Sequence, residues 1–91
     1  MMVNIVDYGN VDDRNFITYE VLGLSPEQID YLHTNLGEET SVNVDILTIV
    51  MYFEHNLYPF QSEVAKIRLD DFIAREEIEM NVFLSSFLED M

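Results

Sequence analysis

Apolar residues gather most densely between Val42 and Phe60, in VNVDILTIVMYFEHNLYPF, and the centre of that run, Ile46–Phe53, is interrupted only by Thr48 and Tyr52. This stretch is expected to form the buried spine of the fold. Val, Ile and Thr favour strands by propensity. The spacing argues for a helix. Asp45, Thr48, Tyr52 and His55 make a polar stripe at three- and four-residue intervals, opposite Val42, Ile46, Ile49, Val50, Phe53 and Leu57. A helix is predicted here, ended by Pro59.

On the amino-terminal side, Met1–Val6 reads as a short strand closed by the turn-forming Asp7, Tyr8, Gly9 and Asn10. Asp12 or Asp13 can then cap a helix carrying Phe16, Ile17, Glu20 and Val21, with Gly23 as its left-handed stop. Ile17, Tyr19 and Val21 also alternate, so a strand is the second reading of Phe16–Leu22. The clearest local signal comes next. Ser25 caps a helix, Pro26 takes its first position, and Gln28 completes a capping box. Leu24 and Ile29 occupy the two positions of a hydrophobic staple, Ile29, Leu32 and Leu36 share a face, and Gly37 ends the helix.

Beyond the spine, Gln61 or Ser62 opens a last helix reaching the carboxyl terminus. Its apolar positions are Val64, Ile67, Phe72, Ile73, Met80, Phe83, Leu84, Phe87 and Leu88. A break is allowed near Glu76–Asn81, where Ile78, Met80 and Val82 alternate like a strand. The pattern thus predicts a mostly α fold, a small bundle of three to four helices with the option of a short N-terminal β element. Residues 1–91 are read as a single acidic domain, since a second independent core would be too small to hold.

Composition changes this picture in one respect. Eighteen Asp and Glu face only four Lys and Arg, for a formal charge of −14. A hydrophobic fraction of 48% sets the chain apart from disordered acidic tails, which lack material for a core. Absence of cysteine excludes disulfides and thiolate metal sites. The start of the chain is not a secretory signal, and the spine is too short and too interrupted to span a bilayer. A cytoplasmic protein is expected, in the host cytoplasm if phage-encoded. The sign of the charge repels nucleic acid and anionic membranes and selects basic partners.

Candidate chemistry is thin. The carboxylate pairs Asp12-Asp13, Glu38-Glu39, Asp70-Asp71 and Glu76-Glu77 are neighbours in sequence, and neighbours on a helix point apart, so they read as solvated faces rather than acid/base pairs. Asp30 with His33, and Tyr52 with His55, have the weakest form of metal-ligand spacing. Asp7–Asp12 lacks the glycine and terminal glutamate of a calcium loop. The serines fit no nucleophile elbow, and there is no phosphate loop. No enzyme, metal or cofactor is expected.

The charge carries the functional expectation. Duplex DNA presents about one negative charge per 1.7 Å of axis, and carboxylates one helical turn apart repeat at about 5.4 Å. Rows of such groups on a stiff scaffold can imitate a phosphate backbone. The first 62 residues hold ten carboxylates against Arg14 alone, which makes Asp12, Asp13, Glu20, Glu27, Asp30, Glu38, Glu39, Asp45 and Glu54 the candidate partner-binding surface. The leading expectation is a non-enzymatic DNA or RNA mimic occupying the basic cleft of a host defence, repair or transcription protein, as phage anti-restriction and anti-CRISPR inhibitors do. The alternative is a helical interaction or assembly module, with Phe83, Leu84, Phe87 and Leu88 as a homodimer seam and the acid serving solubility. A third reading is a general acidic bias with no specific role for the charge.

Overall fold

The computed structural model describes residues 1–12, 14–53 and 63–91, with the backbone alone for Phe53 and residues 63–69. The chain runs β1 (Met2–Val11), β2 (Arg14–Leu22), α1 (Pro26–Leu36), a 3₁₀ turn (Gly37–Glu39), β3 (Thr40–Asn43), β4 (Ile46–Phe53) and α2 (Glu63–Glu89). The strands form one four-stranded sheet in the order β1-β2-β4-β3, with every neighbouring pair antiparallel. This is an α+β fold with two helices on a sheet, and the expectation of a helical bundle is corrected.

The correction has a physical cause in β2 and β4. Ile17, Tyr19 and Val21 pair directly with Met51, Ile49 and Leu47, so all six side chains lie on one face of the sheet. That face is the core. Val3 joins it from β1, Leu24 from the β2–α1 link, Ile29 and Leu32 from α1, and Met80 and Leu84 from α2. A period of two therefore overrides the polar stripe that suggested a helix through Asp45, Thr48 and Tyr52: Thr48 and Tyr52 simply take the other face. His55, Leu57 and Pro59 lie outside the described residues. The same alternation settles Phe16–Leu22 as a strand, and Asp12 sits in the β1–β2 turn with φ 53° rather than capping a helix.

β1 is longer than the predicted Met1–Val6, because Asp7, Tyr8, Gly9 and Asn10 continue it instead of turning. The register slips between Ile5 and Asp7, a bulge that swivels the second half of the strand. Beside the slip the Ile5 N–H donates to the Glu77 carboxylate of α2 at 2.8 Å, which ties the last helix to the first strand. Gly9 lies under the Phe16 ring, and a Cβ there would meet the ring at 3.1 Å.

α1 forms as its sequence dictates. Gln28 N–H donates to the Ser25 hydroxyl, the Ser25 N–H donates to the Gln28 side chain, and the Gly37 N–H closes on the His33 carbonyl with φ 73°. α2 is one unbroken helix through Glu76–Asn81, and its start at Glu63 leaves Gln61 and Ser62 outside the described residues. Leu84 is 0% exposed in the core while Ile78, on the outer side, is 65% exposed. Among the described residues, no helix is long and apolar enough to cross a membrane.

The two sides of α2 give a test of this packing. Leu84→Ala is expected to destabilise the protein by about 2–5 kcal/mol, and Ile78→Ala to stay within about 0.5 kcal/mol. Urea unfolding of both variants measures it, and equal losses would contradict the assignment of the buried side.

Candidate functional site

The β3–β4 hairpin turns on two residues, Val44 and Asp45. Val44 has φ 58° and is 91% exposed. Its φ alone is positive in the pair, an arrangement in which glycine is the usual first turn residue. A β-branched residue in left-handed backbone carries about 1–2 kcal/mol of strain. An apolar side chain is thus held out at the hairpin tip against both its backbone preference and its preference for burial.

This tip overhangs the start of α1. Leu24, Pro26, Ile29, Asp30, His33, Val42, Val44 and Asp45 line an open groove of about 280 Å³ between helix and hairpin. The staple residues Leu24 and Ile29 are buried at its floor, and two carboxylates, Asp30 and Asp45, stand on its walls. His33 is held at the far end. The Thr40 hydroxyl donates its only hydrogen to the Gly37 carbonyl at 2.7 Å, so at the His33 contact it accepts from Nδ1–H. That bond fastens the last turn of α1 to the first residue of β3, and it uses His33 Nδ1 structurally.

Of the nine carboxylates expected to bind a partner, five lie on the α1–β3–β4 side: Glu27 and Asp30 on α1, Glu38 and Glu39 in the 3₁₀ turn, and Asp45 in the hairpin. Asp12 lies at the opposite end of the sheet, where Asn15 pairs with Phe53, roughly 25 Å away by strand length. Glu20 is half-buried on the face away from the helices, opposite Thr48. Asp13 and Glu54 lie outside the described residues. The proposed dimer seam is divided as well. Leu84 is core, Phe87 and Leu88 pack against the core, and Phe83 is 45% exposed with its ring edge-on to Phe87 at 5.0 Å.

Neither of the two described cations, Arg14 and Arg75, lines the groove between α1 and the hairpin. Arg14 lies 4.6 Å over the Tyr52 ring, and Arg75 lies 5.7 Å from the Phe72 ring. No cluster of three or more His, Asp or Glu suited to a metal occurs among the described residues.

A second recess was not expected from the sequence. Tyr19, Met51, Glu76, Glu79, Met80 and Phe83 line a pocket of about 190 Å³ between α2 and the sheet. Burial, then the Glu76 and Glu79 charges, push the Tyr19 phenol up to about 12. Glu76 is raised above the ordinary 4.5 by burial and then by Glu79, against a lowering by Arg75. The signal for this recess lay in the alternation around Tyr19 and the three-residue spacing of Glu76 and Glu79. It becomes legible only once β2 is known to be a strand under α2.

The chain belongs to the family of unknown function DUF5750, which it matches over residues 2–90. No match to it is found among curated proteins.

The raised Glu76 has a consequence for stability. The folded state holds this proton more tightly than the unfolded chain, so its contribution to stability falls as pH rises above 4.5 through the raised value. Glu76→Gln is expected to raise the melting temperature at pH 7, with the gain fading toward pH 4. Thermal melts at the two pH values check the sign, and a gain that grows on acidification would contradict it.

Proposed function

We propose that the chain is a non-enzymatic protein-binding module, and that the groove between α1 and the β3–β4 hairpin receives a basic segment of its partner. The observation that carries this reading is Val44. Strain and exposure coincide there on an apolar side chain, directly beside Asp30 and Asp45. Backbone strain concentrates at binding and switching sites, where it forms part of the mechanism. The apolar tip and floor supply a contact that excludes water, and the flanking carboxylates select positive charge. Glu27, Glu38 and Glu39 extend that field, and a net charge of −14 draws a basic partner from a distance.

Mimicry of a nucleic-acid backbone is a narrower form of this reading. It draws its support from the acidic side built by α1, the 3₁₀ turn and the hairpin, and less from Asp12 and Glu20, which stand apart from it. The partner on that reading is a DNA- or RNA-binding protein such as a host defence enzyme, and duplex DNA competes for it. Self-association through α2 is a second reading, favoured by the exposed Ile78, Val82 and Phe83. Sedimentation at rising protein concentration decides it, since a constant monomer mass removes it.

The hairpin separates binding from folding. Val44→Gly is expected to stabilise the protein by about 1 kcal/mol by relieving the positive φ. The same change, combined with Asp30→Asn and Asp45→Asn, is expected to abolish capture of a basic protein from a lysate of the source organism at low salt. Undiminished capture by the triple variant would sink the groove as the binding site. Competition by duplex DNA distinguishes mimicry from other acidic docking.

A further inference from the structure

We propose that the groove between the first half of β1 and the middle of α2 receives an extended segment of a partner protein, added to the sheet as a further strand. The segment carries a Lys or Arg that pairs with Glu77, between apolar residues at alternate positions. This groove lies on the sheet margin opposite the β3–β4 hairpin, and it stands or falls independently of the groove there.

The first observation is the outer side of β1, which ends the described sheet. Residues of an antiparallel pair alternate between bonding across the ladder and facing away from it. Ile5 stands opposite Tyr19, yet its N–H donates to Glu77, so Ile5 belongs to the set that faces away. Val3, two positions back, belongs to the same set and turns both its N–H and its C=O to the margin. Such a margin is a template for one more strand, and the direction of these groups selects extended backbone over a helix or a small solute. Only a short segment fits. Beyond the slip between Ile5 and Asp7, the Tyr8 N–H is taken by the Asp7 carboxylate at 2.9 Å.

The second observation is an open groove of about 480 Å³ along this margin. Met1, Met2 and Val3 form its strand wall, and Ala74, Glu77, Ile78, Asn81 and Val82 form its helix wall. The helix positions recur at three- and four-residue steps, so a single stripe of α2 follows the groove. From Ala74 to Val82 that stripe is about 12 Å long, the length of about three to four residues of strand. Ile78 and Val82 are exposed on the helix wall, and Met2 is exposed on the strand wall.

Charge decides the occupant. Glu77 is the one charged side chain among the described lining residues, in a chain of formal charge −14. A second copy would bring like charge and a second Glu77 to the same margin. A basic segment brings the complement. A carboxylate accepts several hydrogen bonds, so Glu77 can hold the Ile5 N–H and a cation together. A residue placed opposite Val3 shares its face of the sheet, the face that α2 covers. The Lys or Arg takes that position, and the residues two places to either side face the helix wall with it.

The probe is the end-blocked pentapeptide Ile-Thr-Arg-Thr-Val, titrated into ¹⁵N-labelled protein. Its controls are the same peptide with Glu for Arg, and with the central amide N-methylated. Saturable shifts of the Val3 and Val82 amides are expected, with deuterium exchange at Val3 slowed about tenfold as its N–H enters the new ladder. Both controls should bind at least about tenfold more weakly. Glu77→Gln keeps an acceptor for Ile5 and should weaken the arginine peptide about tenfold. Ala74→Trp, at an exposed position, should block the groove, with both variants melting cooperatively. Four results would overturn the proposal. They are no saturable shift at Val3, shifts with exchange at Val3 unslowed, equal binding of either control, and the same shifts on raising the protein concentration alone, which assigns the margin to a second copy. Shifts confined to Val44 and Asp45 also remove it, and place the peptide in the other groove.

Discussion

The sheet has one face to bury and two helices with which to bury it, and the rest of the structure follows from that limit. Among the described residues, Tyr19 is the largest fully buried side chain, and it sits at the centre of the covered face, between Val21 and Ile17 on its own strand and opposite Ile49. α1 reaches this face with Ile29 and Leu32, and α2 with Met80 and Leu84. Each helix therefore turns these residues inward, while α2 also leaves Ile78, Val82 and Phe83 exposed. The described carboxylates of both helices are then left at the rim or in solvent, apart from Glu76 and Glu77, which are half-buried. Small domains bury a limited share of their surface, so no part of this face is dispensable.

What the chain reveals of itself before folding is uneven. The start of α1 could be read residue by residue, because Ser25, Pro26, Gln28 and Gly37 act through bonds within a few positions of each other. Ile46–Phe53 could not. Its β-branched residues favoured a strand, but an accidental spacing of Asp45, Thr48 and Tyr52 imitated a helical stripe. The deciding fact is a pairing with the segment from Phe16 to Val21, 26 to 36 positions away, which no local pattern contains. The acidic groove was half legible. Asp30 and Asp45 were identified as candidates, but their approach depends on that same strand, and the strained Val44 follows from a two-residue turn that the helical reading hid. The pocket at Tyr19 lay a further step away, since it needs α2 to be placed over β2.

Charge and packing divide the molecule differently. The described cations lie over aromatic rings on opposite faces of the fold, Arg14 on Tyr52 and Arg75 on Phe72. With four Lys and Arg against eighteen Asp and Glu, the chain has little positive charge with which to neutralise its surface. A chain with this balance tolerates its own repulsion through the core described above, and it offers the field outward.

The slip in β1 bears on how so apolar an outer strand coexists with a crowded solution. A ten-residue edge with exposed Met2, Val6 and Val11 is the kind of template on which chains stack into fibrils. The irregularity between Ile5 and Asp7 breaks the flat run of donors such stacking needs, and Glu77 occupies one of those donors from above. At the other margin β3 has only four residues. The molecule therefore guards both of its open borders against edge-to-edge aggregation, one by distortion and the other by brevity.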